Sequence, residues 1–191
     1  MNNKNKTDAE LVQLSLQNTD IFAEIIMRYE RPLMLYIMRL LTISSGDAQD
    51  ILQNVFIKIW QNLNAYNSDM PFKTWAYRIT HNAAISHYRK RKSRGEEDSI
   101  SFDPELYGGF SDDLEIPKNI DANMRAEQVK VTLQNIDEKY RTVLVLHYLE
   151  DISYAGISDV LKKPIGTVSS LVQRAKQKFK HQYNSLYPHT Q

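Results

Sequence analysis

The stretch ISYAGISDVLKKPIGTVSSLVQRAK (residues 152–176) decides the fold of the second half of the chain. Ser153 is a favourable N-cap for a short helix, and Pro164 prevents that helix from running on into the next one. Beyond the proline, Val168 and Val172 belong to a set of apolar residues at helical spacing, which predicts a second, amphipathic helix. Two helices joined by a tight turn form a helix-turn-helix, whose second helix enters the major groove of DNA.

The start of that second helix carries polar and basic side chains. Hydroxyl, amide and guanidinium groups at this end can bond to base edges or to phosphates. The candidates for DNA contact are Thr167, Ser169, Ser170, Gln173, Arg174 and Lys178. An amphipathic hairpin with a solvated basic side has the same pattern, so the motif alone leaves both interpretations open.

Outward from this motif, apolar residues recur every three or four positions along most of the chain. No strand-like alternation and no internal repeat interrupts them. The predicted helices run over about 18–41, 47–63, 71–94, 122–136, 141–149, 153–161 and 166–183. We expect Pro32 to separate or kink the first of these helices. The predicted fold class is all-α.

Charge divides the 191-residue chain into three parts, although its formal net charge is only +1. Residues 1–95 and 128–191 are basic, whereas the segment 96–127 is strongly acidic, and its residues 96–120 lack apolar periodicity. The sequence therefore predicts two small helical domains, 1–95 and 122–191, joined by an acidic flexible linker at 96–121. Basic domains indicate contacts with polyanions, although charged blocks also occur on ordinary solvated surfaces.

Several classes of protein are disfavoured by the composition. The chain has no cysteine, which excludes disulfides and thiolate metal sites. Its first ten residues lack the apolar core of a secretory signal, and its apolar stretches are too short to span a bilayer, so we expect a cytoplasmic protein. No acid neighbours His81 or His87 at ligand spacing, and no glycine loop could cradle a phosphate. We expect no enzymatic activity, metal, cofactor or small-molecule substrate.

The helix predicted around residues 47–63 has an unusually wide apolar stripe. It carries Ile51, Leu52, Val55, Phe56, Ile59, Trp60 and Leu63. One neighbouring helix covers a narrower stripe than this, so part of it is expected to face a partner.

The following loop and helix combine aromatic and basic residues, a pattern that suits the stacking of unpaired bases beside a held phosphate backbone. Phe72 and Trp75 share a stripe with Ile79, so we expect them in the core. Tyr77, Arg78, His81 and Asn82 fall off that stripe and are better candidates for nucleic-acid contact.

Three segments resemble a known family when they are taken together. They are DAQDILQNVFIKIWQNL (47–63), FKTWAYRITHNAAISHYRKRK (72–92) and EKYRTVLVLHYLEDISYAGISDVLKKPIGTVSSLVQRAKQKFK (138–180). In this order and spacing they resemble the extracytoplasmic-function (ECF) sigma factors of bacterial RNA polymerase. The resemblance covers about residues 20–180, apart from the acidic linker.

This resemblance implies a role for each segment. The first would dock on the clamp helices of the polymerase β′ subunit, with further contacts to β, through Asp50, Gln53, Asn54, Phe56, Ile57 and Trp60. The second would read the −10 element and assist strand opening through Tyr66, Asn67, Ser68, Asp69, Lys73, Tyr77, Arg78, His81, Asn82, Arg89 and Arg91. The third would read the −35 element with the residues already given for the helix-turn-helix. The acidic linker would run toward the RNA-exit path of the polymerase.

The expected partners are thus core RNA polymerase, promoter DNA and an anti-sigma factor, which in this family is often membrane-anchored. The main alternative is a helix-turn-helix regulator with a helical dimerisation domain that acts without polymerase docking. That alternative leaves the wide stripe and the aromatic-basic helix unexplained.

Overall fold

The computed structural model describes residues 5–41, 43–95 and 121–188, and the regular secondary structure of these ranges is helical, with no strand among them. The helices are α1 (Asp8–Gln17), α2 (Phe22–Leu40), α3 (Ser45–Gln61), α4 (Phe72–Ser93), α5 (Ala122–Gln134), α6 (Glu138–Leu144), α7 (Tyr154–Leu161) and α8 (Ile165–Leu186). The all-α prediction is confirmed. The predicted linker, apart from Asp121, lies outside the described residues.

Helices α1 to α4 form the N-terminal helical group. Tyr36 and Ile37 of α2 are fully buried against α3 and α4, and Leu63 closes the core beyond α3. Ser44 caps α3 by accepting a hydrogen bond from the Asp47 amide at 3.1 Å.

Two features of this group differ from the sequence prediction. The segment 18–41 begins with a 3₁₀ turn, Thr19–Ile21, and α2 then continues through Pro32 without a break. A proline inside a helix costs about 3 kcal/mol, but Tyr29, Leu33 and Tyr36 on both sides of it are buried, and their packing outweighs that cost. Helix α1 was not predicted.

Helices α5 to α8 form the C-terminal helical group. The helix predicted over 141–149 is α6 followed by a π-helical turn, Val145–Leu149. Between α7 and α8, Lys162 adopts a left-handed conformation with φ of 54°, and the Ser158 hydroxyl donates to the Lys163 carbonyl. This turn sets α7 and α8 as a helix-turn-helix pair.

The two groups are in contact, chiefly where α7 packs on α4. Gly156 of α7 lies at the closest approach, because a Cβ atom there would be 3.3 Å from the Thr74 hydroxyl and 2.7 Å from a methyl of Ile152. A glycine inside a helix costs about 1 kcal/mol relative to alanine, and this close approach explains its presence.

Candidate polymerase and nucleic-acid interfaces

One face of α3 is exposed and carries both polar and apolar side chains. Ile57 is 53% exposed and Trp60 is 37% exposed, both large fractions for apolar residues. Asp50, Gln53 and Asn54 are exposed as well, while Phe56 is half-buried. Trp60 also contacts the core, since its ring lies 5.0 Å from that of Phe22. The structure thus brings the six predicted polymerase-docking residues onto one helix, with the apolar ones only partly covered.

The loop between α3 and α4 is held by its own side chains. The Tyr66 hydroxyl donates to the Met70 carbonyl at 2.7 Å, and the Asn67 side chain accepts from the Asp69 amide at 3.0 Å. The Tyr66 ring packs against Phe72 and Trp75, and burial raises the pKa of its hydroxyl. Asn67, Ser68 and Asp69 remain exposed at the tip of the loop.

A cavity of about 270 Å³ opens beside this loop, between α3 and α4. Its lining combines an aromatic ring, two amides and a cation. The residues are Lys58, Asn62, Ala65, Trp75, Ile79 and Asn82. Amide groups can bond to the edge of a base, and a flat apolar wall can receive its face, so the cavity has the chemistry of a base-binding pocket.

Along α4, the remaining basic candidates differ in exposure. Arg89 is exposed and Arg78 is half-buried. Arg91 forms an ion pair with Asp47 at 2.7 Å, which ties the end of α4 to the start of α3. The pKa of Asp47 is lowered by the Ser44 hydroxyl and, secondarily, by Arg91. Arg91 therefore has a structural partner in addition to its predicted DNA role.

Two residues of α4 that the helical spacing places off the buried stripe nevertheless point inward. Tyr77 is 1% exposed, and its hydroxyl donates to Glu150 of the C-terminal group at 2.6 Å. His81 is half-buried, with Nδ1 2.9 Å from the Tyr36 hydroxyl, and burial together with the charge of Arg89 lowers its pKa to about 4. Both residues lie off the stripe of Phe72 and Trp75, but α4 is covered from a second side as well, so they are not open to a ligand in this arrangement. Phe72 and Trp75 are buried as expected.

Lys73 also faces the C-terminal group. Its ammonium donates to the carbonyl of Glu150 at 2.6 Å and lies 6.0 Å from the centre of the Tyr77 ring. In this arrangement Lys73 and Tyr77 are occupied, so of the predicted −10 residues mainly Asn67, Ser68, Asp69, Asn82 and Arg89 are open to a ligand.

The outer side of α8 presents the predicted −35 residues. Thr167, Ser170, Gln173, Arg174 and Lys178 are exposed, and Ser169 is half-buried. The Arg174 guanidinium donates to the Ser170 carbonyl at 3.2 Å, which lays the side chain along the helix. The buried side holds Val168, Val172 and Ala175. These positions agree with the amphipathic pattern of the second helix.

Several exposed residues were missed by the sequence reading. Ile165, the first residue of α8, is 54% exposed beside the candidate DNA contacts, where an apolar side chain could contact a thymine methyl. Lys58 and Asn62 line the cavity but were not singled out. Their positions at the end of α3, next to the polar loop, are the sequence feature that indicates a place in this site.

Within the described ranges, no helix combines the length and apolar character needed to cross a bilayer. The same residues contain no group of three or more histidine, cysteine or acidic side chains arranged to hold a metal ion.

Comparison with known proteins agrees with this layout. Family models described as Sigma-70 region 2 and Sigma-70, region 4 match residues 25–94 and 126–179. The RNA polymerase sigma-H factor of Pseudomonas aeruginosa is 33% identical over 162 residues, with 82% of each chain covered. The ECF RNA polymerase sigma factor SigW of Bacillus subtilis is 28% identical, with 91% of this chain and 95% of the relative covered.

A solved structure shares the fold. It is the sigma factor RpoE of Bartonella quintana in complex with the anti-sigma factor NepR, which matches with a TM-score of 0.66 at 22% identity. The match covers 84% of this chain and 95% of that one.

Region 2 followed by region 4, each on its own group of helices, defines a transcription initiation factor of the sigma-70 type. Such factors have no catalytic activity of their own. Within that class the chain belongs to the ECF sigma factors. It binds core RNA polymerase and directs it to specific promoters. The alternative of a regulator without polymerase docking is not favoured, because it does not account for region 2.

Proposed function

We propose that the three exposed surfaces divide the work of promoter recognition. Residues 1–95 dock on core polymerase and read and open the −10 element, residues 122–191 read the −35 element, and the acidic segment 96–121 runs between them toward the RNA-exit path. The observation that carries this proposal is the exposed apolar face of α3 next to a base-sized cavity on the same pair of helices.

Docking uses the outer face of α3. Ile57 and Trp60 supply apolar area that a helical partner such as the β′ clamp helices would bury, and Asp50, Gln53 and Asn54 supply the polar rim. Contacts with β complete the complex.

Reading of the −10 element uses the loop 64–70, the cavity beside it and α4. An unpaired base enters the cavity against Trp75, and Asn62 and Asn82 bond to its edge. Stacking returns about 1–3 kcal/mol per base, while unstacking a step costs a few kcal/mol. Polymerase and phosphate contacts supply the difference, so the free chain binds duplex promoter DNA weakly.

Reading of the −35 element uses α8 in the major groove. Gln173 and Arg174 are the side chains suited to base edges, and Thr167, Ser169, Ser170 and Lys178 hold phosphates or flanking groups.

The chain acts in the cytoplasm, without enzymatic activity, cofactor or small-molecule substrate. An anti-sigma factor is a further partner, as the Bartonella quintana complex supports by analogy. Anti-sigma factors of this family are often membrane-anchored.

The test is transcription from a genomic promoter pool by sigma-free core polymerase with the chain added. We expect promoter-specific transcripts that begin a constant distance downstream of shared −10 and −35 elements. Core polymerase alone is the control. The absence of specific transcripts across the pool would contradict the proposal.

A further inference from the structure

Glu150 is the centre of the contact between the two helical groups. It follows the π-helical turn of the C-terminal group and is only 6% exposed. One carboxylate oxygen accepts from the guanidinium of Arg39 at 2.7 Å, and the other accepts from the hydroxyl of Tyr77 at 2.6 Å. Its carbonyl accepts from the ammonium of Lys73 at 2.6 Å. All three donors belong to the N-terminal helical group.

The surrounding contacts reinforce this cluster. Arg39 is itself 7% exposed and also donates to the Leu149 carbonyl at 3.4 Å. In the opposite direction, Arg141 of the C-terminal group donates to the carbonyl of Leu40 at 3.2 Å. Hydrogen bonds to charged groups are about twice as strong as neutral ones. Removing one member of a buried ion pair is costly because it leaves the other charge buried without compensation.

This contact has a direct consequence for α4. Lys73 and Tyr77 lie on the part of α4 that Glu150 and α7 cover, and both are among the residues proposed to read the −10 element. While the contact is closed, Tyr77 is buried away from nucleic acid and the Lys73 ammonium is held by the carbonyl of Glu150.

We propose that Glu150 is a latch that holds the two helical groups closed in the free chain, and that promoter recognition requires this latch to open. The inference rests on the proposed function, since the covered residues are those assigned to the −10 element. The latch adds a restraint on DNA binding by the free factor, and core polymerase would release it by holding the two groups apart.

The expected size of the effect follows from population arithmetic. If only the open form binds promoter DNA, the apparent dissociation constant equals the intrinsic one divided by the open fraction. Loss of a buried charge-assisted bond raises the open-to-closed ratio by about tenfold or more. DNA binding by the free chain should tighten by the same factor, until the open form dominates.

The test begins with the substitution Glu150→Gln, which removes the charge and preserves the shape. The control is Asp151→Asn, which removes one negative charge from the exposed neighbouring residue. Because the chain has no cysteine, Gln61→Cys and Asn184→Cys introduce two unique labelling sites at exposed positions, one in each group.

Spin labels at these sites report the distance between the groups by double electron–electron resonance. We expect a single short distance in the parent chain and in Asp151→Asn, and a broad, longer distribution in Glu150→Gln. An unchanged distribution in Glu150→Gln would overturn the latch.

A second variant covers the case in which Glu150→Gln disturbs the C-terminal group. Arg39→Gln removes the same ion pair from the other side and leaves that group unaltered. Circular dichroism measures the helical content of both variants. If Glu150→Gln opens the chain but loses helical content, opening by an Arg39→Gln variant that retains its helical content supports the latch. If neither variant opens the chain, or if each opens it only with a loss of helix, the latch is wrong.

The functional consequence is measured with DNA. The probe is a promoter found in the transcription assay, with its −10 segment unpaired, titrated with polymerase-free chain. We expect Glu150→Gln and Arg39→Gln to bind it about tenfold more tightly than Asp151→Asn. Opening without tighter binding would overturn the claim that the contact restrains recognition.

The two proposals fail in distinguishable ways. If core polymerase gives no specific transcripts with the parent chain, the proposed function is wrong, whatever the spin labels report. If transcripts are made and the label distance does not respond to Glu150→Gln, only the latch is wrong.

Discussion

His81 is a titratable side chain held inside the N-terminal helical group, where burial and the nearby charge of Arg89 lower its pKa to about 4. Its Nδ1 atom is paired with the Tyr36 hydroxyl. The neutral ring is therefore the form that the fold accommodates, and protonation works against folding. At neutral pH the residue supports α4 from within.

The pH dependence of stability follows from this shift. In the unfolded chain His81 titrates near its ordinary value of about 6.5, so between about pH 6.5 and 4 the unfolded state binds more protons. Stability is complete above this range and falls as the pH decreases, by up to about 3 kcal/mol at pH 4.

The substitution His81→Gln isolates this contribution. We expect urea unfolding of the parent chain to lose more stability between pH 7 and 4.5 than that of His81→Gln. His87→Gln is the control, as His87 is a second histidine of the same helix. Parallel curves for the parent chain and His81→Gln would show that His81 is not buried in its neutral form.

A second residue-scale prediction concerns the outer face of α3. Ile57→Ala is expected to weaken core polymerase binding by about 1–3 kcal/mol, with a change in the free energy of unfolding below about 0.5 kcal/mol, because the side chain is mostly exposed. Met27→Ala, at a 65% exposed apolar residue of α2, is the matched control.

Trp60→Ala should reduce both polymerase binding and stability, because its ring also packs on Phe22. Fluorescence titration with core polymerase and urea unfolding separate the two effects. If Ile57→Ala and Met27→Ala bind equally well, the docking face is not on α3.

Single positions could be predicted from the sequence where one face of a helix is buried. Phe72, Trp75 and the inner residues of α8 are where the spacing puts them. Tyr77 and His81 are covered although they lie off that stripe, because periodicity locates one buried stripe and α4 is covered on two sides. One cover is formed by α2 and α3, and the other by α7 of the C-terminal group.

At the scale of elements, α7 and α8 offer a matched pair of glycines. A Cβ atom at Gly166 would have no neighbour within 4 Å. Gly166→Ala should therefore stabilise the first turn of α8, by less than the full helix-interior gain of about 1 kcal/mol. Gly156→Ala should gain the same helix propensity but lose more stability through crowding, because the new methyl would be 2.7 Å from Ile152.

Thermal unfolding of the two variants is the measurement. We expect Gly166→Ala to melt above the parent chain and Gly156→Ala below it. A stabilised Gly156→Ala would mean that Ile152 and Thr74 do not crowd this position as closely as the structure shows.

The second element-scale prediction concerns α8 as a reader of bases. Arg174→Ala should weaken holoenzyme binding to the preferred −35 sequence by about 1–3 kcal/mol and reduce discrimination at one or two base pairs. Lys178→Ala should weaken binding to all −35 sequences alike, because a phosphate contact carries no sequence information. Binding to a panel of single-base −35 substitutions distinguishes the two, and equal losses for both variants would exclude base reading by Arg174.

The sequence predicted the element types well and some of their details poorly. Helix α1 begins with a capping box formed by Thr7 and Glu10, and this signal is visible in the sequence. The π-helical turn after α6 has no comparable local signal. Both this turn and the unbroken helix through Pro32 depend on packing with distant residues, which outweighs local preference.

At the scale of the whole molecule, the state of the latch determines which surfaces can react. Tyr77 is buried in the closed arrangement, and burial together with the charge of Glu150 raises its pKa. Tetranitromethane reacts with exposed tyrosine in its ionised form. Nitration of Tyr77 should therefore be slow in the free chain and faster in the holoenzyme, where the groups are held apart.

Peptide mass spectrometry measures the extent of nitration. Tyr29, which is 6% exposed in the core of the N-terminal group, is the control and should stay protected in both states. Equal protection of Tyr77 in the free chain and the holoenzyme would contradict opening, and loss of protection at Tyr29 would indicate unfolding instead.

The contact between the groups could not be predicted from the sequence. Glu150 lies 111 residues from Arg39, 77 from Lys73 and 73 from Tyr77 along the chain. An acid beside a helix end is common and suggests no particular partner. Charge patterning distinguished the two basic ends from the acidic middle, but it carries no information about which side chains meet.

The latch also has a chemical polarity: Arg39, Lys73 and Tyr77 all donate, and Glu150 and its carbonyl accept. Phosphate oxygens are acceptors of the same kind. When the groups separate beside a promoter, DNA can take over the role of Glu150, so the donors exchange one acceptor for another instead of being left without one. In the closed chain these donors are therefore hydrogen-bonded to a carboxylate and a carbonyl that stand where phosphate oxygens could bind. Separating the two groups costs the least free energy where a phosphate backbone is present to accept from the same donors.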